Sequence, residues 1–175
     1  MLDSVALSGR IVETEAYGDE TDLASHAAVY RRTRTEIMRA EPGTVYVYRS
    51  YGVHYCFNIV AHEGGGAGAV LIRAAEPIAG LKVMAEGRGV AMNGAVANGP
   101  GRLGQAFALA NSDTGRDVVT DHDILLLPRQ AEPRIEESTR IGITRDEHRL
   151  WRFYNPDSPA MSRPHRKVRT CPPAC

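Results

Sequence analysis

The sequence predicts an α+β fold, a single domain built on a mainly antiparallel β-sheet with peripheral helices. Three observations predict it. The 175 residues suit one sizeable core and leave little room for two. Short strand-like runs recur, several joined by glycine-bearing turn segments. Helical patterns are inserted between them irregularly, as in an antiparallel sheet with helices at its margins.

Taken in order, "SGRIVETEAYG" alternates and stops at glycine, which predicts a strand over Gly9–Ala16. Alternation puts Val12, Thr14 and Ala16 on one face and Ile11, Glu13, Glu15 and Tyr17 on the other. "DETDLASHAAVYRRT" is a polar loop with a helical turn starting near Ser25, and "TRTEIMRAEPG" is a short helix closed by Pro42 and Gly43. Three strand patterns follow, "TVYVY", "GVHYCFNIVA" and "GAVLIRAAEP", connected by "RSYG" and "HEGGGAG". After Pro77 the period becomes helical, with Ile78, Leu81 and Met84 at matching intervals. "GRGVAMNGAVANGPG" reads as a flexible stretch and "RLGQAFALA" as a helix opening after Gly101. "DILLLPR" reads as a further strand, and "STRIGITRDEHRLWRFYN" as holding another before its aromatic end. There is no internal repeat and no long linker.

A hydrophobic fraction of 43% and a charged fraction of 24% argue against disorder and against membrane residence. "MLDSVALSGR" has neither the basic start nor the apolar run of a signal peptide, so cytoplasmic residence is expected, nucleoid-associated in a prokaryote. The cysteines, Cys56, Cys171 and Cys175, are odd in number and unhelpfully spaced, which fits a reduced compartment. His165 with Cys171 and Cys175 lacks a fourth zinc ligand at recognisable spacing. No metal and no cofactor are expected. The formal net charge is zero, yet its distribution is uneven. An acidic start faces two arginine-rich regions, one from Arg31 to Arg49 and one from Arg140 onward. Such clusters fit a phosphate-bearing partner, and they equally fit solvated faces in an arginine-rich chain.

Two groups of residues carry candidate chemistry. Glu13 and Glu15, two apart on a strand beside Tyr17, share one face, and buried acids there require a partner. Arg73, which interrupts an apolar strand, is the natural one. A carboxylate held by arginine can take a proton from water, although the spacing alone fits a structural ion pair as well. The second group is aromatic. Five of the chain's eleven aromatic residues, Tyr46, Tyr48, Tyr51, Tyr55 and Phe57, fall within "VYVYRSYGVHYCFN". Four fit strand alternation. Tyr51 does not: it stands beside Gly52 at a hairpin tip, where it either folds back on the hairpin or offers its ring to a base, a contact worth roughly 1–3 kcal/mol.

"GRIVETEAY", "ASH", "PGTVYVY", "YGVHYCFN", "VLIRAAEP" and "NGPGRLGQAFAL", in that order, resemble the alkyladenine (3-methyladenine) DNA glycosylase family between Gly9 and Tyr154. The resemblance implies a curved antiparallel sheet and a hydrolase that flips an alkylated purine from DNA and cuts its N-glycosidic bond, leaving an abasic site. It implies Glu15 as general base, with Arg73 and the backbone carbonyl of Ile141 holding the same water. Tyr17, His26 and Tyr48 match the walls of the base pocket, and Asn58 matches the residue that crowds guanine's amino group. Tyr51 matches the side chain that wedges into the duplex. At the helix opening in "NGPGR", backbone N–H groups and Arg102 fit a phosphate contact, and equally a plain helix start. The partner implied is damaged double-stranded DNA, bound by a monomer.

Members usually carry a further segment before the first motif, so the chain is expected to be N-terminally shortened relative to the family, with one sheet edge less covered. "AVYRRTRTEIMRA" lacks the glycine and proline often found after the family's Ser-His pair. Residues 1–160 are expected to form the glycosylase domain and 161–175 a basic, disordered tail that attracts phosphates non-specifically. Two other readings stay open at this level: a lesion-recognising DNA-binding protein with impaired turnover, and a hydrolase of free nucleosides or RNA.

Overall fold

A computed structural model describes residues 5–30 and 33–162. Six strands, β1 (Ser8–Tyr17), β2 (Val45–Ser50), β3 (His54–Val60), β4 (Ala69–Ala79), β5 (Glu136–Ser138) and β6 (Arg152–Tyr154), form one sheet in the order β2-β3-β4-β1-β6-β5. Every neighbouring pair is antiparallel. Four short helices complete the α+β fold: α1 (His26–Val29), α2 (Thr33–Met38), α3 (Leu81–Arg88) and α4 (Pro100–Ala106). No helix among the described residues is long and apolar enough to cross a membrane.

The cross-strand register explains where the aromatics go. Tyr46 stands opposite Asn58 and Tyr48 opposite Cys56, and residues directly opposite share a face. That face carries the smaller core of Ala27, Met38, Tyr46, Val60, Ala67 and Ala69, with Tyr17 and Tyr48 packed against it. The other face carries Val45, Val47, Ile59 and Ile72, with Tyr55 and Phe57 against the main core that includes Met84 of α3 and Leu103 of α4. One set of rings therefore builds a cavity and the other builds the core.

Helix α4 sits unusually close to β3. A Cβ on Gly104 would fall into the carbonyl of Tyr55, and one on Gly101 would lie 2.8 Å from the His54 ring. Only glycine at position 104 permits that approach to main chain.

The β1–β4 ladder departs from simple alternation. Ile11 faces Ala75 and Glu13 faces Ala74, so Val12 is an extra residue in β1; Glu13 faces Ala74 and Thr14 faces Ile72, so Arg73 is extra in β4. Such bulges flip the succeeding residues to the other face. Ile11, expected to share a face with the glutamates, is consequently exposed while Glu13 and Glu15 are buried.

Two further expectations are corrected. Ile78 belongs to the end of β4 and is exposed; the helix opens only after Gly80, whose φ of 78° is left-handed. "DILLLPR" forms no strand, and Leu125, Leu126 and Leu127 are exposed. Asp121 accepts the N–H groups of Asp123 and Ile124 and pairs with Arg116, which folds the segment into a turn before any ladder forms. Of the tail expected over 161–175, residues 163–175 with Cys171 and Cys175 lie outside the described residues, while Ser162 is placed by two hydrogen bonds to Glu13 and belongs to the folded domain.

Candidate active site

A cavity of about 620 Å³ opens on the α1 face of the sheet. β1 supplies Tyr17, β2 supplies Tyr46 and Tyr48, β3 supplies Cys56 and Asn58, and β4 supplies Arg73, with His26 entering from the first position of α1. Ser25 fixes that helix start: its hydroxyl accepts the Ala27 N–H and donates to the Gly18 carbonyl.

The two glutamates lie behind this lining, both fully buried, and differ in how their oxygens are engaged. Glu13 accepts four hydrogen bonds: Arg73 Nε at 3.0 Å, Arg152 Nε at 2.7 Å, and Ser162 Oγ and N, each at 2.7 Å. Three of them converge on Oε1 and one, from the Ser162 N–H, reaches Oε2. Burial would raise its pKa, but the Ser162 N–H and the two arginines outweigh burial and hold it below the ordinary carboxylate value. Glu15 accepts two hydrogen bonds, from the Ile141 N–H at 2.7 Å and the Tyr17 hydroxyl at 2.8 Å. Arg73 Nη1 forms an ion pair with it at 3.2 Å. Ile141 thus reaches the site through its amide N–H.

The walls are as specific. His26 packs edge-on against Tyr48, with ring centroids 4.5 Å apart, and its Nδ1 is 2.8 Å from the Tyr46 hydroxyl. The Asn58 amide donates to the carbonyls of Tyr46 and Cys56, which fixes its plane. Burial first, and then the Glu15 charge, push the Tyr17 hydroxyl far above its usual range, so it stays a donor. Behind Tyr17 the Arg140 guanidinium lies 4.7 Å from the ring centroid and grips Asp22 with two nitrogens, at 2.6 and 2.8 Å. Arg140 and Arg149 both lie over the Trp151 ring, at 5.2 and 4.5 Å.

Tyr51 is 93% exposed, and its φ of 50° lies in the left-handed region. Gly52 follows at φ 69° and the Val53 N–H closes on the Ser50 carbonyl, the turn type that matches hairpin twist. A non-glycine residue in that conformation costs roughly 1–2 kcal/mol, and full exposure returns nothing by burial.

Sequence reasoning pairs Arg73 with the glutamates, as the structure does. It misses Arg152, Ser162, Asp22 and Arg140. In the sequence Arg140 and Arg152 register only as part of a basic region, and long-range pairing of a charge in the last third with one in the first leaves no local signal. Among the described side chains, most arginines have a carboxylate partner. Arg49, Arg88, Arg102 and Arg145 have none. Arg49 lines the cavity, and Arg145 lines a smaller groove that shares Ala24, Gly142 and Ile143 with it. Arg102 follows Pro100 of the cavity wall by two residues and accompanies Arg88, whose pKa is lowered by burial and by that neighbouring charge.

Two buried carboxylates thus lie behind a ring-lined cleft, with arginines that lack carboxylate partners at or beside its mouth. The sequence model of the family described as Methylpurine-DNA glycosylase (MPG) matches residues 1–159, and the chain belongs to that family. It is 44% identical over 163 residues to a protein of Chlorobium phaeobacteroides (strain DSM 266), covering 92% of this chain and 83% of that one. It is 43% identical over 171 residues to one of Natranaerobius thermophilus (92% and 85%) and 39% identical over 161 residues to one of Nitrosospira multiformis (92% and 82%). Each of these relatives is named "Putative 3-methyladenine DNA glycosylase".

Proposed function

We propose that the protein is a monofunctional DNA N-glycosylase that removes alkylated purines of the 3-methyladenine type from double-stranded DNA, acting as a monomer at the start of base excision repair. The observation that carries this reading is the unequal engagement of the two glutamates. Glu13 takes four donors, and Arg152 and Ser162 among them are not residues of the cavity wall. Glu15 takes two, and the residues it touches, Tyr17, Arg73 and Ile141, all line the cavity; its Oε1 accepts only the Ile141 N–H, so a water donating there would lie beside that wall.

The reaction follows from the geometry. The glycosidic carbon is shielded within a duplex, so the nucleotide must be extruded, at a cost of a few kcal/mol. Tyr51 offsets that cost by filling the gap. The extruded base enters between Tyr17 on one side and His26 and Tyr48 on the other; alkylation makes a purine cationic, which favours contact with tyrosine faces. Asn58, its plane fixed, crowds the exocyclic amino group of guanine. As the bond from C1′ to the base breaks, its electron pair neutralises the cationic purine, and Glu15 stabilises the positive sugar. Water attacks C1′ from the opposite side and gives its proton to Glu15, as in an inverting glycosidase. Arg73 and Ile141 hold the acid, and the water-holding role of the Ile141 carbonyl is part of the proposal. The chain has two lysines, Lys82 and Lys167. Lys82 lies on α3, across the sheet from the cavity. Lys167 lies outside the described residues, and the reading of hydrolysis without a Schiff base or strand cleavage rests on the remoteness of Lys82. Arg49, Arg102 and Arg145 meet phosphates.

The test uses a duplex carrying one ethenoadenine or 3-methyladenine analogue. The wild-type protein should generate abasic sites. Glu15→Gln should bind equally well and release base at least about 10²-fold more slowly. Binding without release by the wild type would favour a lesion-binding protein, and release undiminished in Glu15→Gln would remove the acid from the mechanism. Tyr51→Ser should weaken duplex binding by about 1–3 kcal/mol and spare activity on a free nucleoside; equal loss on both would remove the wedge.

A further inference from the structure

Glu13 is as buried as Glu15 and stands two residues before it, yet the proposed reaction gives it no part. Its surroundings are specific. The Arg73 guanidinium is divided among three partners: Nε to Glu13 at 3.0 Å, Nη2 to Ser162 Oγ at 3.4 Å, and Nη1 toward Glu15 at 3.2 Å. An arginine facing one carboxylate normally engages it with two nitrogens. Here Glu13 holds Nε, and the Ser162 hydroxyl, which itself donates to Glu13, holds Nη2, so Nη1 alone is left for Glu15. Arg152 gives Glu13 a second positive charge through its own Nε at 2.7 Å, and is itself held by Ser138 Oγ. Two acids and two guanidiniums thus balance, all four buried.

We infer that Glu13 is a positioning residue: by holding Nε of Arg73 directly and Nη2 through Ser162, it prevents a two-pronged Arg73–Glu15 pair and so keeps Glu15 able to take a proton from water. The inference rests on Glu15 being the base. Two features support a fixed rather than incidental arrangement. Arg73 is the extra residue of a β-bulge, which turns its side chain toward both acids at once. The chain also returns to the site through Ser162, which donates both its N–H and its hydroxyl to Glu13.

The substitution Glu13→Gln keeps the shape and removes the charge. Arg73 is then free to turn two nitrogens onto Glu15, which favours the ionised acid and weakens it as a base. Under single turnover the rate of base release should fall at least about tenfold, within the 10²–10⁴ that general-base catalysis supplies. The acid limb of the rate profile should move to lower pH. Affinity for a duplex carrying a tetrahydrofuran abasic analogue should change less than about twofold, since it does not use the proton transfer.

Removing Glu13 also leaves Arg152 buried without its carboxylate, so a purely structural role must be separated. The pair Glu13→Gln with Arg152→Met restores charge balance. It should recover the melting temperature of the wild type without recovering the rate or the position of the acid limb; recovery of rate together with stability would overturn the inference. Where neither variant folds, Glu13→Asp keeps the charge for Arg152 and Ser162 but withdraws from Arg73. It should show the same direction of change in rate and acid limb, and wild-type values for both would overturn the proposal. An active wild type with an indifferent Glu13→Gln refutes this inference alone, whereas a wild type that releases no base refutes the functional reading beneath it.

Discussion

At the scale of single residues, stability and chemistry are separable through pH. Glu13 and Asp22 are both buried and both held below the ordinary carboxylate value. For each, burial opposes ionisation and is outweighed, by the Ser162 N–H and the arginines at Glu13 and chiefly by Arg140 at Asp22. A carboxyl lowered by folding binds its proton more tightly in the unfolded chain. Its stabilisation is therefore complete above the unfolded values of roughly 4 and lost as pH falls through the folded ones. The melting temperature should drop below about pH 4. Asp22→Asn should lower it at neutral pH, where breaking a buried pair costs about 3–5 kcal/mol, and should flatten the acid branch; an unchanged acid branch would show that Asp22 is not one of the groups responsible. Short-range chemistry is legible at this scale: two acids on one strand demand a cation, and Arg73 is the one charge inside an apolar run. The partners from beyond residue 135 are not legible, because nothing local marks Arg152 or Ser162 as closer to Glu13 than to water.

Elements are legible where period and punctuation agree. Alternation marks the first strand and the three that line the cavity and core, and Ser25 announces α1. Failures come where backbone departs from its period. A bulge carries no residue signature in "GRIVETEAY", so alternation places Ile11 on the wrong face; an apolar run with no alternation, "DILLLPR", looks like a strand, and Asp121 captures its backbone instead. The contact of α4 with β3 is hidden as well, since glycine reads as flexibility from sequence and here serves close approach. Gly104→Ala should place a methyl group in the Tyr55 carbonyl and destabilise by about 1–3 kcal/mol in a thermal or urea melt. Gly101→Ala meets the side chain of exposed His54, which can swing away, and should cost less. Equal effects would mean that α4 shifts as a body.

For the whole molecule, a formal net charge of zero conceals the distribution that matters. Among the described side chains, carboxylates neutralise most arginines and leave Arg49, Arg88, Arg102 and Arg145 unmatched, three of them at or beside the cavity mouth. Composition reveals clusters in sequence; only the fold shows which cations are already paired. Arg49→Gln, Arg102→Gln and Arg145→Gln should each weaken binding to undamaged duplex and reduce the slope of log affinity against log salt by about 0.9, the loss of one phosphate contact. Arg129→Gln, whose partner is Glu132, should leave the slope unchanged; a slope indifferent to the first three would move the DNA to another face. The chain's one tryptophan gives such titrations a built-in optical readout. Trp151 touches the guanidinium that backs Tyr17, so on the proposed reading a purine arriving against that ring should alter the indole's electrostatic setting and hence its fluorescence, with no label attached.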